Sequence, residues 1–328
     1  MKLASLKTGD RDGCLIVVSR DLAHYVSAAD IAFTLQLALD DWQQMAPGLT
    51  ALYAELNQGS CSGIRDLDVD ALAAPLPRAY EFLDGSAYLP HVERVRRARG
   101  AEVPASFYVD PLMYQATSAG FLGPRDPVPV FSEEYGIDFE SEIIIITDDV
   151  PMAVTPEQAE QHIQLIGLIN DVSLRNLIPG ELAKGFGFLQ SKPRSALSPV
   201  MVTPDELGEA WQDSTLSLPL HSTLNGTAFG RPEAGVDMQF NFARLVAHAA
   251  YTRPLTAGTI VGSGTIANTD TSLGASCLAE IRMLEIIADG KPSTPFMKFG
   301  DTIRIEMFDR HGDSIFGAIE QKIVRYAG

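Results

Sequence analysis

The segment Asp138-Phe139-Glu140-Ser141-Glu142-Ile143-Ile144-Ile145-Ile146 constrains this chain more than any other stretch. Consecutive β-branched residues favour extended backbone, so the segment reads as a strand that runs into a core. Side chains alternate along a strand with a period of two, which puts Glu140 and Glu142 on one face with Cα atoms about 7 Å apart. Two like charges against an apolar strand repel each other and resist desolvation unless a cation neutralises them. Oxygen ligands of this kind suit Mg²⁺, Mn²⁺ or Ca²⁺ rather than a soft metal. An exposed strand end is the plainer reading of Glu-x-Glu on its own, and a third carboxylate would change that balance.

Asp171 is the candidate for the third carboxylate. The apolar residues 165–169 lead straight into Asn170-Asp171, followed by Ser173 and Arg175, a placement typical of a functional loop at a strand end. A lone Asp at such a place also serves as a turn or cap residue. Lys192, in Phe186-Gly187-Phe188-Leu189-Gln190-Ser191-Lys192, has small and apolar neighbours that suit a buried or half-buried ammonium, although a surface lysine is the commoner case. Other motifs fail on context. Gly262-Ser263-Gly264 and Gly185-Phe186-Gly187 stop at G-x-G, and neither a phosphate-binding GxxxxGK[ST] loop nor a G-x-S-x-G elbow occurs. The histidines, His24, His91, His162, His221, His248 and His311, show no HExxH or paired metal spacing. His162 and His248 read as ordinary structural or surface residues.

Charge narrows the partners. With 42 Asp and Glu against 25 Lys and Arg, the net charge of -17 makes the electrostatic part of non-specific nucleic-acid binding repulsive. DNA, RNA and anionic membranes are therefore not expected partners. Purely aliphatic runs are no longer than residues 143–146, far short of the roughly 20 apolar residues of a membrane span. Lys2 precedes no signal-type apolar core, so a cytoplasmic protein is expected. Cys14, Cys61 and Cys277 are scattered without CxxC spacing, which argues against a disulfide framework and a thiolate zinc site and leaves small-residue packing as their role.

At 328 residues and 46% hydrophobic, the chain can bury one large core or two ordinary ones. Residues 3–6, 14–18 after the turn-rich 8–13, and the stretch around Tyr25 and Val26 read as short strands. Ile31, Leu35, Ala38, Leu39 and Trp42 recur at helical spacing, as do Leu49, Leu52, Tyr53 and Leu56 after Pro47-Gly48. This predicts two amphipathic helices separated by that dipeptide. Pro75 and Pro77 lack ladder donors and restrict the residues before them, which places a boundary between an N-terminal α+β domain over 1–76 and a catalytic domain over 77–328. Residues 91–99 gather Arg94, Arg96, Arg97 and Arg99 into a basic segment that reads as a solvated helix face. Thr155-Pro156-Glu157-Gln158 combines an N-cap, a first-turn proline and a capping-box Gln, with Ala159, Ile163 and Ile166 continuing a helical stripe. A second helix carries Phe242, Leu245, Val246 and Ala249. Residues 216–224, 259–263 and 302–308 read as strands, and His311-Gly312-Asp313 as the turn into a strand over 315–319. The expected fold class is α+β and strand-rich.

Taken together, these segments resemble the fumarylacetoacetate hydrolase family, and more closely its bacterial fumarylacetoacetate hydrolase-like members of similar length. The family's D-x-E-x-E metal motif appears as Asp138-Phe139-Glu140-Ser141-Glu142 and its N-D-x-S-x-R motif as Asn170-Asp171-Val172-Ser173-Leu174-Arg175. Its lysine appears as Lys192 in Gln190-Ser191-Lys192, and its pocket-shaping G-S-G-T-I as Gly262-Ser263-Gly264-Thr265-Ile266. The resemblance runs from about residue 78 to the C-terminus and less specifically through the N-terminal domain. It implies a mixed β-roll/β-sandwich catalytic domain with a small N-terminal β domain, and a homodimer built largely from the catalytic domain. It also implies Mg²⁺ or Ca²⁺, with Mn²⁺ as a substitute, held by Glu140, Glu142 and Asp171. A further family Asp has its nearest match in Asp110, in Tyr108-Val109-Asp110-Pro111-Leu112. The family's fumarylacetoacetases activate water with a His oriented by a Glu. When Ala116-Thr117 and Gly120 are aligned with their counterparts, the His slot holds Gln115 and the orienting Glu falls at Glu280.

The implied reaction is hydrolytic cleavage of a carbon–carbon bond in a β-diketo acid, fumarylacetoacetate or a related acylpyruvate, as in aromatic amino-acid (tyrosine) and aromatic-compound catabolism. The metal acts as Lewis acid, Lys192 and Arg175 anchor or stabilise negative oxygens, and Thr265 contacts the substrate carboxylate. An amide has no titratable proton near neutrality, so Gln115 orients the attacking water and Glu280 takes its proton. Two other readings stay open: a metal-dependent decarboxylase, hydratase or tautomerase of a 2-oxo acid, and a non-catalytic member that binds a diketo acid or oxalate.

Overall fold

A computed structural model describes residues 1–98, 100 and 102–328. The isoleucine run decides where its cores lie. Every residue of the strand Ser141–Thr147 is buried, so the alternation of side chains feeds two cores rather than one. Ile143 and Ile145 enter a cluster with Phe139, Phe242 and Ile305, whereas Ile144 and Ile146 enter a second with Leu39, Trp42 and Ile260. The strand lies inside an 11-stranded sheet, antiparallel to Ile163–Asn170 on one side and to Ile260–Gly262 on the other. Beyond Ile260–Gly262 come Phe82–Gly85, paired in parallel, and then Met113–Gln115. On the opposite flank Met201–Val202 joins Ile163–Asn170 to Lys2–Leu6, and Cys14–Val18, His24–Ser27 and Arg65–Asp66 continue to the edge. The sheet runs without interruption across the expected boundary near residues 75–77. A five-stranded sheet ordered Thr227–Gly230, Leu220–Leu224, Thr302–Met307, Ile319–Arg325 and Val128–Val130 shares the first core through Ile303, Ile305 and Ile319. The architecture is mixed α/β and strand-rich, as expected, and among the described residues no helix is long and apolar enough to cross a membrane.

Tertiary pairing overrides local propensity in several places. The capping box forms: Thr155 Oγ1 accepts the Gln158 N–H at 3.3 Å, and Gln158 Oε1 accepts the Thr155 N–H at 2.9 Å. Its helix, Pro156–Ala159, nevertheless ends after one turn and passes through the 3₁₀ segment Glu160–His162 into the strand Ile163–Asn170. Ile163 and Ile166 are strand residues, not a helical stripe, because pairing with Ser141–Thr147 buries both. The N-terminal helices are Leu35–Asp40 and Trp42–Gln58, so the break falls at Asp41 and Pro47 lies inside the second helix. Burying Trp42, Leu49, Tyr53 and Leu56 along one face, about 1.5–3 kcal/mol each, outweighs the roughly 3 kcal/mol of an interior proline. Near the C-terminus Gly312 turns the chain at φ 88°, but residues 315–319 are not a strand. The Phe316 carbonyl accepts the Val200 N–H at 3.1 Å, so that backbone serves a loop contact, and the strand is Ile319–Arg325. The basic segment forms the helix Leu89–Ala98, yet it is not a solvated face: His91 and Arg94 are half-buried and only Arg97 among its named arginines is exposed. Arg99 lies outside the described residues.

Candidate active site

The antiparallel register of Ser141 with Asn170 sets the exit of one strand beside the entry of the other. Asp171 N–H then donates to the Glu140 carbonyl at 2.9 Å, which brings Glu140, Glu142 and Asp171 together, all buried. Lys192 is buried among them, and its Nζ donates to Glu140 Oε2 and Asp171 Oδ2, each at 2.6 Å. Arg175 donates from Nη2 to Glu140 Oε1 at 2.7 Å and from Nε to Asp138 Oδ2 at 2.8 Å. The Thr265 hydroxyl donates to Glu140 Oε1 at 2.8 Å, so its proton is committed to the cluster. Ser195 and Tyr114 donate to Asp171 at 2.6 and 2.9 Å.

A further carboxylate completes this group, and it is Asp84 rather than Asp110. Asp84, Glu142 and Asp171 place oxygens within 4.8 Å of one another, all three buried. Asp110 instead lies 3.4 Å from His248 Nδ1 with a side chain 71% exposed. Two glycines of Gly262-Ser263-Gly264 make the approach of Asp84 feasible. A Cβ at Gly262 would fall 2.3 Å from Asp84 Oδ1, and Gly264, at φ +75°, would put one 2.3 Å from the Gly85 carbonyl. The Gly264 N–H donates to Asp84 Oδ1 at 3.2 Å.

Electrostatics divides the carboxylates into two kinds. Burial works to raise Glu140, but the Arg175 guanidinium and Lys192 ammonium outweigh it and hold the carboxyl below its usual range. Burial beside Asp84, Glu140 and Asp171 pushes Glu142 well up, and burial together with Asp171 pushes Asp84 up to about 7. Glu142 Oε2 is buried without any hydrogen-bond donor. An orphaned carboxylate oxygen among clustered acids is the donor set of a hard divalent cation, so the residues fit one.

Asp138, the first residue of D-x-E-x-E, is linked to this group through Arg175 and has a second task. Its oxygens accept the Leu278 and Ala279 N–H groups at 2.8 and 2.9 Å, capping the helix Leu278–Asp289 that carries Glu280. Glu280 Oε2 lies 3.0 Å from His91 Nδ1, and its other oxygen accepts from Arg94. A His oriented by a Glu is therefore present, but the His is His91 and not the position of Gln115. Alternation along Met113–Gln115 turns Tyr114 to Asp171 and leaves Gln115 exposed on the other face. The one signal for the missed pair lies in Phe82-Leu83-Asp84-Gly85, an acid between a short apolar strand and a glycine, followed one helix start later by His91.

Comparison with known proteins agrees with this geometry. Residues 82–324 match the family model described as fumarylacetoacetate (FAA) hydrolase C-terminal, and residues 1–78 match fumarylacetoacetase N-terminal domain 2. The chain belongs to the fumarylacetoacetate hydrolase family. Among solved structures, the fumarylacetoacetate hydrolase of psychrophilic Exiguobacterium antarcticum is similar in fold, with a TM-score of 0.68 and 18% identity over 99% of both chains. The maleylpyruvate hydrolase of Sphingobium sp. SYK-6, in complex with manganese(II) ion and pyruvate, gives 0.65 and 15% over 99% of both. Among curated proteins, the 2,4-didehydro-3-deoxy-L-rhamnonate hydrolase of Sphingomonas sp. (strain SKA58) is 28% identical over 161 residues, 48% of this chain and 53% of that one. The chain thus matches about half the length of that curated relative. In this member of the fumarylacetoacetate hydrolase family, Asp84, Glu140, Glu142 and His91 line one cavity of 540 Å³ with Arg175, Lys192 and Thr265.

Proposed function

We propose that this chain is a divalent-metal-dependent hydrolase that splits a carbon–carbon bond of a β-diketo acid, an acylpyruvate or fumarylacetoacetate itself. The observation that carries this reading is His91, held by the buried Glu280 at 3.0 Å, on the wall of the cavity that Asp84, Glu140 and Glu142 also line. Asp84, Glu142 and Asp171 would hold Mg²⁺, Mn²⁺ or Ca²⁺, with Glu140 beside them, and the manganese and pyruvate of the Sphingobium relative suit that choice. When bound, the cation supplies a Lewis acid for the substrate's neighbouring oxygens.

The chain's own residues handle the protons. With Nδ1–H directed to Glu280, the His91 tautomer leaves Nε2 as the acceptor that takes a proton from water. Arg94 fills the other Glu280 oxygen, so the carboxylate stays in register with the imidazole. Water adds to the distal carbonyl, the bond from that carbonyl to the methylene between the two carbonyls breaks, and the proton on His91 is returned to the methylene carbon, giving a carboxylic acid and pyruvate from an acylpyruvate, or fumarate and acetoacetate from fumarylacetoacetate. Lys192 and Arg175 offer positive charge to the oxygens that become negative.

The test is product analysis of the purified protein with fumarylacetoacetate, fumarylpyruvate, acetylpyruvate and oxaloacetate, with and without added Mg²⁺ or Mn²⁺. A metal-dependent yield of acid plus pyruvate from the acylpyruvates, or of fumarate plus acetoacetate from fumarylacetoacetate, supports the proposal. Decarboxylation or tautomerisation alone would replace it with one of those reactions, and binding without turnover would make the chain a metabolite-binding member. The same family reading makes the protein a homodimer, which a monomer at micromolar concentration in sedimentation would contradict.

A further inference from the structure

The cavity has two halves of opposite character. Its inner end holds the carboxylates, whereas its outer wall is built from Val92 and Val95, Met283 and Ile286, and Ile178 and Leu182, on three different helices. The arrangement follows from helical spacing. Val95 lies four residues after His91, and Met283 and Ile286 lie three and six after Glu280, so the helices that carry the proton-transfer pair continue outward with aliphatic side chains. Phe188 closes the inner side of this wall, its ring edge-on to Tyr114 at 4.7 Å.

Among the described residues four Lys and Arg side chains line the cavity, and two of them, Lys192 and Arg175, are paired with carboxylates. The Arg282 guanidinium lies 4.0 Å from the centroid of Phe296 and donates to the Thr294 carbonyl. Arg96 lies over the ring of Phe107 at 4.9 Å and is the one lining cation with neither a carboxylate nor a carbonyl partner among the described residues. A substrate tail that enters this half meets methyl, methylene and aromatic surface over most of the wall, with the Arg96 and Arg282 guanidinium groups lying on the rings of Phe107 and Phe296.

We infer that the outer half of the cavity is an acyl subsite for an apolar tail, so that the substrate is a medium-chain or aromatic acylpyruvate. This rests on the function proposed above. Burial of a methylene corresponds to about 0.8 kcal/mol, so kcat/KM should rise about fourfold per added methylene until the chamber is full. A growing tail fills the chamber between Val95 and Ile286.

The experiment uses the Mn²⁺-loaded protein and two series. Hydrolysis of acetyl-, butanoyl-, hexanoyl- and benzoylpyruvate is compared, and binding of the 2-oxo acids from pyruvate to 2-oxooctanoate is followed by calorimetry. The expected result is a rise in kcat/KM and in affinity with tail length, with hexanoylpyruvate preferred over acetylpyruvate at least tenfold. Val95→Phe should lower the hexanoyl-to-acetyl ratio at least tenfold, and Ile286→Ala should flatten the rise per methylene, so a folding failure in one variant leaves the other. Length-independent values, or a fall with tail length, would overturn the subsite. Absence of turnover on every acylpyruvate would defeat the hydrolase reading alone, and the calorimetric series would then decide the subsite by itself.

Discussion

Glu280 is 1% exposed and both of its oxygens are taken, one by His91 and one by Arg94. In the proposed reaction its carboxylate, held so, would act on a water through the imidazole. Replacing His91 by Gln should lower kcat about 10²–10⁴-fold while calorimetry finds Mn²⁺ binding unchanged. Glu280→Gln should act on the same step, so the double variant should lose little more than His91→Gln alone. Additive losses would mean that the two residues work separately. At this scale Glu140, Glu142 and Asp171 are legible in the chain, because strand period and strand-end position fix where each side chain goes, and Lys192, on a loop, is legible through its small and apolar neighbours and the Gln190-Ser191-Lys192 resemblance. Asp84 and His91 are not. They reach their partners through the parallel pairing of Phe82–Gly85 with Ile260–Gly262 and through a helix packed on Leu278–Asp289, and local pattern encodes neither. Gln115 takes the base position only when its neighbours Ala116-Thr117 set the alignment, and strand alternation sends it outward.

The element that delivers Lys192 is a loop held by one carboxylate. Glu181, on the helix Ile178–Leu182, accepts the N–H groups of Leu189, Gln190 and Ser191 at 2.7–3.1 Å and the Ser191 hydroxyl. Burial opposes its charge, but these donors outweigh burial and hold the carboxyl down at about 2, against 4.5 for a free Glu. The lowered value means that the charged form contributes stability above pH 4.5, and that this contribution is lost as pH falls from 4.5 towards 2. In urea titrations the wild type should therefore exceed Glu181→Gln at pH 7, and the gap should close across that acid window. A gap that stays constant down to pH 2 would deny the anchor. Element boundaries show the same dependence on partners: the capping box at Thr155 marks a helix start that the sequence displays, whereas the strand Ile163–Asn170 that cuts the helix short is imposed by its neighbour.

On the scale of the whole molecule the N-terminal strand is tied to the far end of the chain. Lys2 is 3% exposed, and its Nζ donates to the Ile315 carbonyl at 2.6 Å. Burial pushes this ammonium down to about 8 from 10.5. Between those values the unfolded chain binds more protons than the folded one, so stability should rise with pH from about 8 to 10.5. At roughly 1.4 kcal/mol per pH unit, the wild type should gain about 3 kcal/mol relative to Lys2→Met across that window. A pH-independent difference would show that the ammonium is solvated. The strand that feeds both cores has a different consequence before either core exists. On a nascent chain Ile143–Thr147 is a β-prone stretch without charge or proline, the composition that seeds pairing between molecules. Glu140 and Glu142 before it, and Asp148 and Asp149 after it, stand where gatekeeping charges guard such a stretch. The glutamates at the candidate metal site thus also keep newly made copies apart, and a Glu140→Gln/Glu142→Gln double variant diluted from urea without metal should scatter more light than the wild type does.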